Sequence, residues 1–176
     1  KAALSKGSAR DTLMRKLAAE KAWGAAEDGF KSAAMQRGND LEAQARINFE
    51  LDTGLVVTEV GLATNDRHPG MGASLDGVVG NPVGSRVGLE IKCPLASTMA
   101  EYHRAGRLPA AYREQIAAQM LICELTTVHF YAWHPDCPPF HLVIGVEQFD
   151  LDVLAANATV FVTELNDFVS KLPARF

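Results

Sequence analysis

The segment Gly88-Leu89-Glu90-Ile91-Lys92-Cys93-Pro94 limits what this chain can fold into more than any other. Extended backbone sends successive side chains to opposite faces, so Leu89, Ile91 and Cys93 share one face while Glu90 and Lys92 share the other. The apolar face requires a core, and each large residue buried there contributes roughly 1.5–3 kcal/mol. A strand anchored in this way holds a carboxylate and an ammonium at fixed spacing on its second face. Asp76, fourteen residues upstream of Glu90, lies on the preceding strand and adds a second acid. The competing reading is a surface hairpin with a simple ion pair between Glu90 and Lys92.

At 176 residues and 48% apolar content, the chain can bury one core. One domain over 1–176 follows, with N-terminal helices over 1–54, a sheet-bearing core over 55–147 and a C-terminal helix over 150–172. The sequence has no uninterrupted apolar run of 18 residues and no basic-then-apolar leader, so the expectation is a soluble, cytoplasmic protein with no membrane partner. Cys93, Cys123 and Cys137 are odd in number and scattered, as reduced, packed thiols are. The net charge of −4 conceals an asymmetry, because Lys1, Lys6, Arg10, Arg15, Lys16 and Lys21 are opposed near the N-terminus only by Asp11 and Glu20. A local basic surface suited to a polyanion can therefore coexist with acids gathered elsewhere. A solvated helix face explains the same run.

Leu4, Leu13, Leu17 and Ala18 trace a helix to about Ala22, interrupted by Gly24 and Gly29. Asn39 starts a second helix with Leu41, Ala45, Asn48 and Phe49 at helical spacing and Gly54 as its stop. Residues 56–62 form a strand, and 73–79 pairs with 86–93 as a hairpin across the turn at 80–85. Pro109 opens a helix whose stripe is Tyr112, Ile116, Gln119, Met120 and Cys123. Residues 126–134 and 141–146 are strands separated by a turn at Pro135, Pro138 and Pro139. Leu154, Ala158, Phe161, Leu165, Phe168 and Leu172 make the last helix amphipathic. This order describes an α/β fold with a central mixed sheet flanked by helices.

Hydrolysis of a phosphodiester needs an activated water and neutralisation of a charged transition state, and Mg²⁺ serves both needs. That ion takes hard oxygen ligands, usually one or two carboxylates. Asp76 and Glu90 fit this requirement, with the main-chain carbonyl of Ile91 completing the set. Lys92 either orients the water and shares charge or, with a lowered pKa, acts as base. Glu42, at the edge of the buried face of its helix, can reach a metal through a water, or it forms a capping box with Asn39. Gln115 can bind a phosphate, a base or a metal-bound water, or is simply solvated. His134, Cys137 and His141 lack a fourth zinc ligand, Gly70 and Gly72 open no phosphate loop, and no nucleophile elbow is present.

The strings Ser74-Leu75-Asp76-Gly77, Gly88 to Pro94 and Tyr112-x-x-Gln115 follow one another as in the phage lambda exonuclease, or YqaJ-type viral recombinase, branch of the PD-(D/E)xK nucleases. The chain resembles that family over about residues 35–145, and Arg37-Gly38-Asn39-Asp40-Leu41-Glu42-x-x-x-Arg46 is similar to the helix preceding its core. The resemblance implies a restriction-endonuclease-like core and two Mg²⁺ ions, with Mn²⁺ as a substitute. Asp76, Glu90 and the Ile91 carbonyl would hold the metals, with Glu42 bound directly or through water. Lys92 and Gln115 would position the nucleophile and the scissile strand, and Ser74, Tyr112 and Arg37 would meet DNA or its terminal phosphate.

The activity implied is a 5′-to-3′ exonuclease that reduces one strand of linear duplex DNA to mononucleotides. Such enzymes form trimeric rings round DNA ends and work beside a single-strand annealing protein in recombination. A structure- or sequence-specific endonuclease and an inactive DNA-binding module are the alternatives. Two departures bear on polarity. The family's Arg and Thr-Ala-Ser segment, which helps grip a 5′ phosphate, does not occur in the opening Lys1-Ala2-Ala3-Leu4, and Ser97-Thr98 stands where a basic residue can follow the Cys-Pro pair.

Overall fold

A computed structural model describes residues 3, 7–26, 33–80 and 83–174. In chain order the elements are α1 (Ser8–Trp23), α2 (Ala33–Thr53), β1 (Val57–Thr58), β2 (Leu62–Thr64), β3 (Gly72–Ser74), β4 (Gly77–Val79), β5 (Val87–Lys92), α3 (Ala96–Ala105), α4 (Ala110–Cys123), β6 (Thr127–His134), β7 (Cys137–Gly145) and α5 (Leu151–Ser170). Five strands form one sheet in the order β1-β4-β5-β6-β7, and β2 and β3 form a separate pair. Within the large sheet β5 and β6 run parallel and the other neighbours antiparallel. A parallel pair needs a crossover, which α3 and α4 provide. The expected mixed sheet between helices is therefore present.

Both faces of the sheet are covered. Leu89 and Ile91 of β5 and Tyr131 and Trp133 of β6 pack with Ala45 and Phe49 of α2. On the opposite face Val128, Phe130 and Ala132 pack with Met99 and Tyr102 of α3 and with Ile116 and Met120 of α4. The alternation read for residues 88–93 holds, but its second face lies beneath α4, so Glu90 is only 1% exposed. A surface hairpin is excluded by that burial.

Several expected boundaries move. The second helix begins at Ala33, so Asn39 lies inside it and cannot cap it with Glu42. Its stop at Gly54 holds, with φ 70° and a main-chain bond from Gly54 to Glu50. The strand expected over 56–62 divides into β1 and β2, which belong to different sheets, and the strand over 73–79 is interrupted at Leu75 and Asp76. Of its two pieces, β4 alone pairs with β5. Pro138 and Pro139 do not form a turn but lie in β7, an edge strand, where a missing N–H can face away from the ladder. Helix α3 went unread because Met99 and Tyr102 are its only large apolar residues. Leu4, Lys1, Lys6 and Gly29 fall outside the described residues.

Helix α1 packs on α5, where Arg10 meets Glu164 at 2.6 Å and Lys21 meets Asn166 at 2.6 Å. Part of the basic N-terminal run is thus engaged within the fold. The possible zinc ligands separate: Cys137 Sγ lies 3.6 Å from His134, whereas His141 stacks on His129 with ring nitrogens 2.8 Å apart. Burial holds both His129 and His141 below the ordinary value of 6.5, His141 adding to the effect at His129 and Asp52 opposing it at His141.

Just below pH 6.5 the unfolded chain binds protons that this folded pair refuses. The pair's contribution is complete above that pH and is lost as the pH falls through the window. Urea midpoints taken from about pH 7.5 down to about pH 5 should fall less steeply in His129→Asn than in the parent protein. Identical slopes would exclude the pair as the source.

Candidate active site

Asp76 sits in the break between β3 and β4. Its Oδ2 accepts a 2.7 Å bond from the Ile91 N–H, and its own N–H donates to the Leu89 carbonyl at 3.2 Å. The side chain is therefore fixed beside the middle of β5. Glu90, on the neighbouring register, points toward α4. Its Oε1 accepts from Gln115 at 2.6 Å and from the Lys92 ammonium, and its Oε2 accepts from Gln119 at 2.5 Å.

Glu42 reaches the same place from α2. Arg46, one turn further along and 12% exposed at its side chain, holds Glu42 at 2.9 Å and Glu59 at 2.6 Å. The Arg46 Nε also donates to the Asp76 carbonyl at 3.2 Å. One guanidinium thus joins the helix bearing Glu42 to the loop bearing Asp76, a bidentate role that lysine could not fill. A cleft of about 490 Å³ opens over these groups, walled by Gly38, Glu42, Asp76, Lys92, Tyr112 and Gln115.

The electrostatics follow from gathering acids in a poorly solvated place. Burial, and then the adjacent Glu90, push the Asp76 carboxyl above its ordinary range, and the Ile91 N–H bond, Lys92 and Arg46 only partly oppose this. Burial and then Asp76 likewise raise Glu42. At Lys92 burial favours the neutral amine, but the ion pair and hydrogen bond to Glu90, with Asp76 behind them, outweigh it and leave the pKa raised. Lys92 is therefore an ammonium in this state, which favours its charge-sharing role over its role as a base.

Carboxylates whose charged forms are disfavoured by burial and by one another fit a divalent cation, which would relieve both costs. The hard oxygens of Asp76, Glu90 and the Ile91 carbonyl suit Mg²⁺ or Mn²⁺ better than a softer ion. Among the described residues no three His, Cys, Asp or Glu side chains stand together as a ready metal cage. Both oxygens of Glu90 are already occupied by side-chain donors.

Asp76, Ile91, Lys92, Gln115 and Glu42 thus line one cleft, and the buried Glu90 adjoins it through Gln115 and Lys92. Tyr112 joins them in the wall, its ring centroid 5.3 Å from the Lys92 ammonium and its hydroxyl 3.4 Å from that of Tyr102. Arg37 instead clamps the end of β5, donating to the carbonyls of Cys93 at 2.7 Å and Pro94 at 3.0 Å. Ser74 is exposed and outside the cleft wall, and its carbonyl accepts from Gln119 at 2.9 Å. Sequence reasoning placed Arg46 only within a motif and Gln119 only in an apolar stripe. The signal for each was its spacing of four residues, from Glu42 and Gln115 respectively.

The mixed sheet, its interrupted strand bearing Asp76 and the adjoining Glu90 and Lys92 define a nuclease of the PD-(D/E)xK class. A model of the YqaJ-like viral recombinase domain matches residues 2–128, and the chain belongs to that family. Among solved structures it is similar to an alkaline exonuclease, LHK-Exo from Laribacter hongkongensis, with 30% identity, a TM-score of 0.84 and coverage of 96% of this chain and 86% of that one. LHK-Exo in complex with dAMP superposes with a TM-score of 0.85 at the same identity and coverage. A phage-related exonuclease from Haemophilus somnus 129PT shares the fold, with 14% identity, a TM-score of 0.64 and coverage of 95% and 83%. No curated protein matches the chain.

Proposed function

We propose that the protein is a Mg²⁺-dependent exonuclease that digests one strand of linear duplex DNA from its 5′ end and leaves a 3′ single strand for annealing-based recombination. The observation that carries this reading is the convergence of Asp76, Glu42 and a protonated Lys92 on one cleft, with Glu90 buried behind them against Lys92 and Gln115. Its similarity to an alkaline exonuclease solved with a mononucleotide, dAMP, favours end-wise release of single nucleotides. The trimeric ring of the resemblance would keep such an enzyme on its track.

When bound, the divalent cation supplies Lewis-acid charge at the scissile phosphate and a more acidic water. Asp76 and Glu90 would hold it, and the main-chain bond from Ile91 keeps Asp76 from swinging away. Lys92 keeps its proton and offsets charge developing on the phosphate oxygens. Gln115, on the cleft wall, orients the water or the strand through its amide. Grip on the duplex rests on phosphate contacts, which carry no sequence information, so binding should weaken with added salt.

The test is digestion of 5′-phosphorylated linear duplex, 5′-hydroxyl linear duplex and covalently closed circles, each with Mg²⁺ or EDTA, with products sized. Mononucleotides from linear substrates only, and only with metal, are expected. Cleavage of closed circles would establish an endonuclease instead, and equal digestion of both linear ends would show that the 5′ phosphate is not read.

Gly38 gives a separate check on the cleft. It lies inside α2, and a Cβ added there meets nothing within 4 Å, so neither packing nor backbone conformation requires glycine. Gly38→Ala should stabilise the fold by roughly 0.5–1 kcal/mol. The same methyl group narrows the cleft wall, so KM for duplex ends should rise. A more stable variant with unchanged kinetics would show that substrate does not approach this helix.

A further inference from the structure

Two glutamines on α4, Gln115 and Gln119, grip the same carboxylate from different sides. Gln115 is exposed, lines the cleft and donates to Glu90 Oε1, the oxygen that also pairs with Lys92. Gln119 is 1% exposed and donates to Glu90 Oε2 at 2.5 Å and to the Ser74 carbonyl at 2.9 Å. Its amide orientation is dictated by these partners, since both are acceptors and only the NH₂ group can face them. The remaining Gln119 oxygen is buried with no partner among the described residues. Burying an amide oxygen in this way costs roughly 1–3 kcal/mol, which an apolar side chain at 119 would avoid.

We infer that Gln119 is a positioning residue for the metal site: it anchors Glu90 Oε2 on the buried side, so that Oε1 is the oxygen presented to a cation. This rests on the reading of Asp76 and Glu90 as metal ligands given above. The two oxygens differ in what can reach them. Oε1 adjoins groups that wall the open cleft, and Gln115 and Lys92 can withdraw from it into that space. Oε2 is held by a side chain with no such freedom, because Gln119 is also tied to the strand that precedes Asp76. A cation would thus exchange partners at Oε1 alone. Gln115 competes with the cation, whereas Gln119 prepares the site for it.

The two glutamines should therefore act with opposite sign. Mn²⁺ binding to the DNA-free protein, measured by titration calorimetry, should weaken about 10–100-fold in Gln119→Met, the usual effect of removing a group that orients a metal ligand. Gln115→Met should bind Mn²⁺ at least as tightly as the parent protein. Affinity within about twofold of the parent in Gln119→Met, or equal weakening by both substitutions, would overturn the inference. If Gln119→Met does not fold, Gln119→Asn, whose amide is too short to span Glu90 and Ser74, is the deciding variant: weakened binding supports the role and unchanged binding removes it. Glu90→Gln separates the two levels. If it too leaves Mn²⁺ binding unchanged, the assignment of the metal ligands fails, whereas a loss there with unchanged Gln119→Met removes only the positioning role.

Discussion

Replacing Glu90 with Gln is expected to lower hydrolysis of linear duplex by about 10³-fold or more, while DNA binding without metal stays within about twofold. The substitution preserves volume in a position that is 1% exposed, so the core does not open. It removes the charge that pairs with Lys92 and that would share a cation with Asp76. It also leaves one acceptor where Gln115, Gln119 and Lys92 now find two. Single-turnover release of acid-soluble nucleotide measures the chemical step, and a filter or anisotropy assay in EDTA measures binding. Hydrolysis within tenfold of the parent protein would remove Glu90 from the reaction.

Phe49→Ala should cost about 3–5 kcal/mol and lower Tm by roughly 6–20 °C. The ring is completely buried between α2 and the sheet, edge-on to Tyr131 at 5.3 Å, to His129 at 5.4 Å and to His141 at 5.6 Å. Tyr131 cannot swing into the void, because its hydroxyl is tied to Asp52. Helix α2 also carries Glu42 and Arg46, so loosening its seat should reduce activity before global unfolding. A calorimetric scan with Tm lowered by less than about 2 °C would show that α2 is held by other contacts.

What was legible in advance follows physical lines. Period-two alternation in residues 88–93 is enforced by extended backbone whatever surrounds it, so the opposition of Ile91 to Glu90 and Lys92 was readable. Gly54, Pro109 and Pro94 act on the chain locally and marked their boundaries. The start of α2 was misread because Asn39 has a cap's chemistry at a helix-interior position. Tertiary packing of Ala45 and Phe49 offsets its poor propensity there. The prolines of β7 were misread for a related reason. A proline's lost N–H breaks a central strand and is harmless at an edge, and strand order is not local information.

The residues alone determined which chemistry was on hand: two acids and a lysine on or beside one strand, a third acid at the edge of a helix's apolar face, and an amide one turn after Tyr112. Only the folded chain decided that Glu90 would be buried, that Arg46 would join Glu42 to the loop of Asp76, and that Gln119 would hold the far oxygen of Glu90. Periodicity along a chain says which side chains share a face. What covers that face, and so which charges lose water and must find partners, depends on contacts between segments distant in sequence.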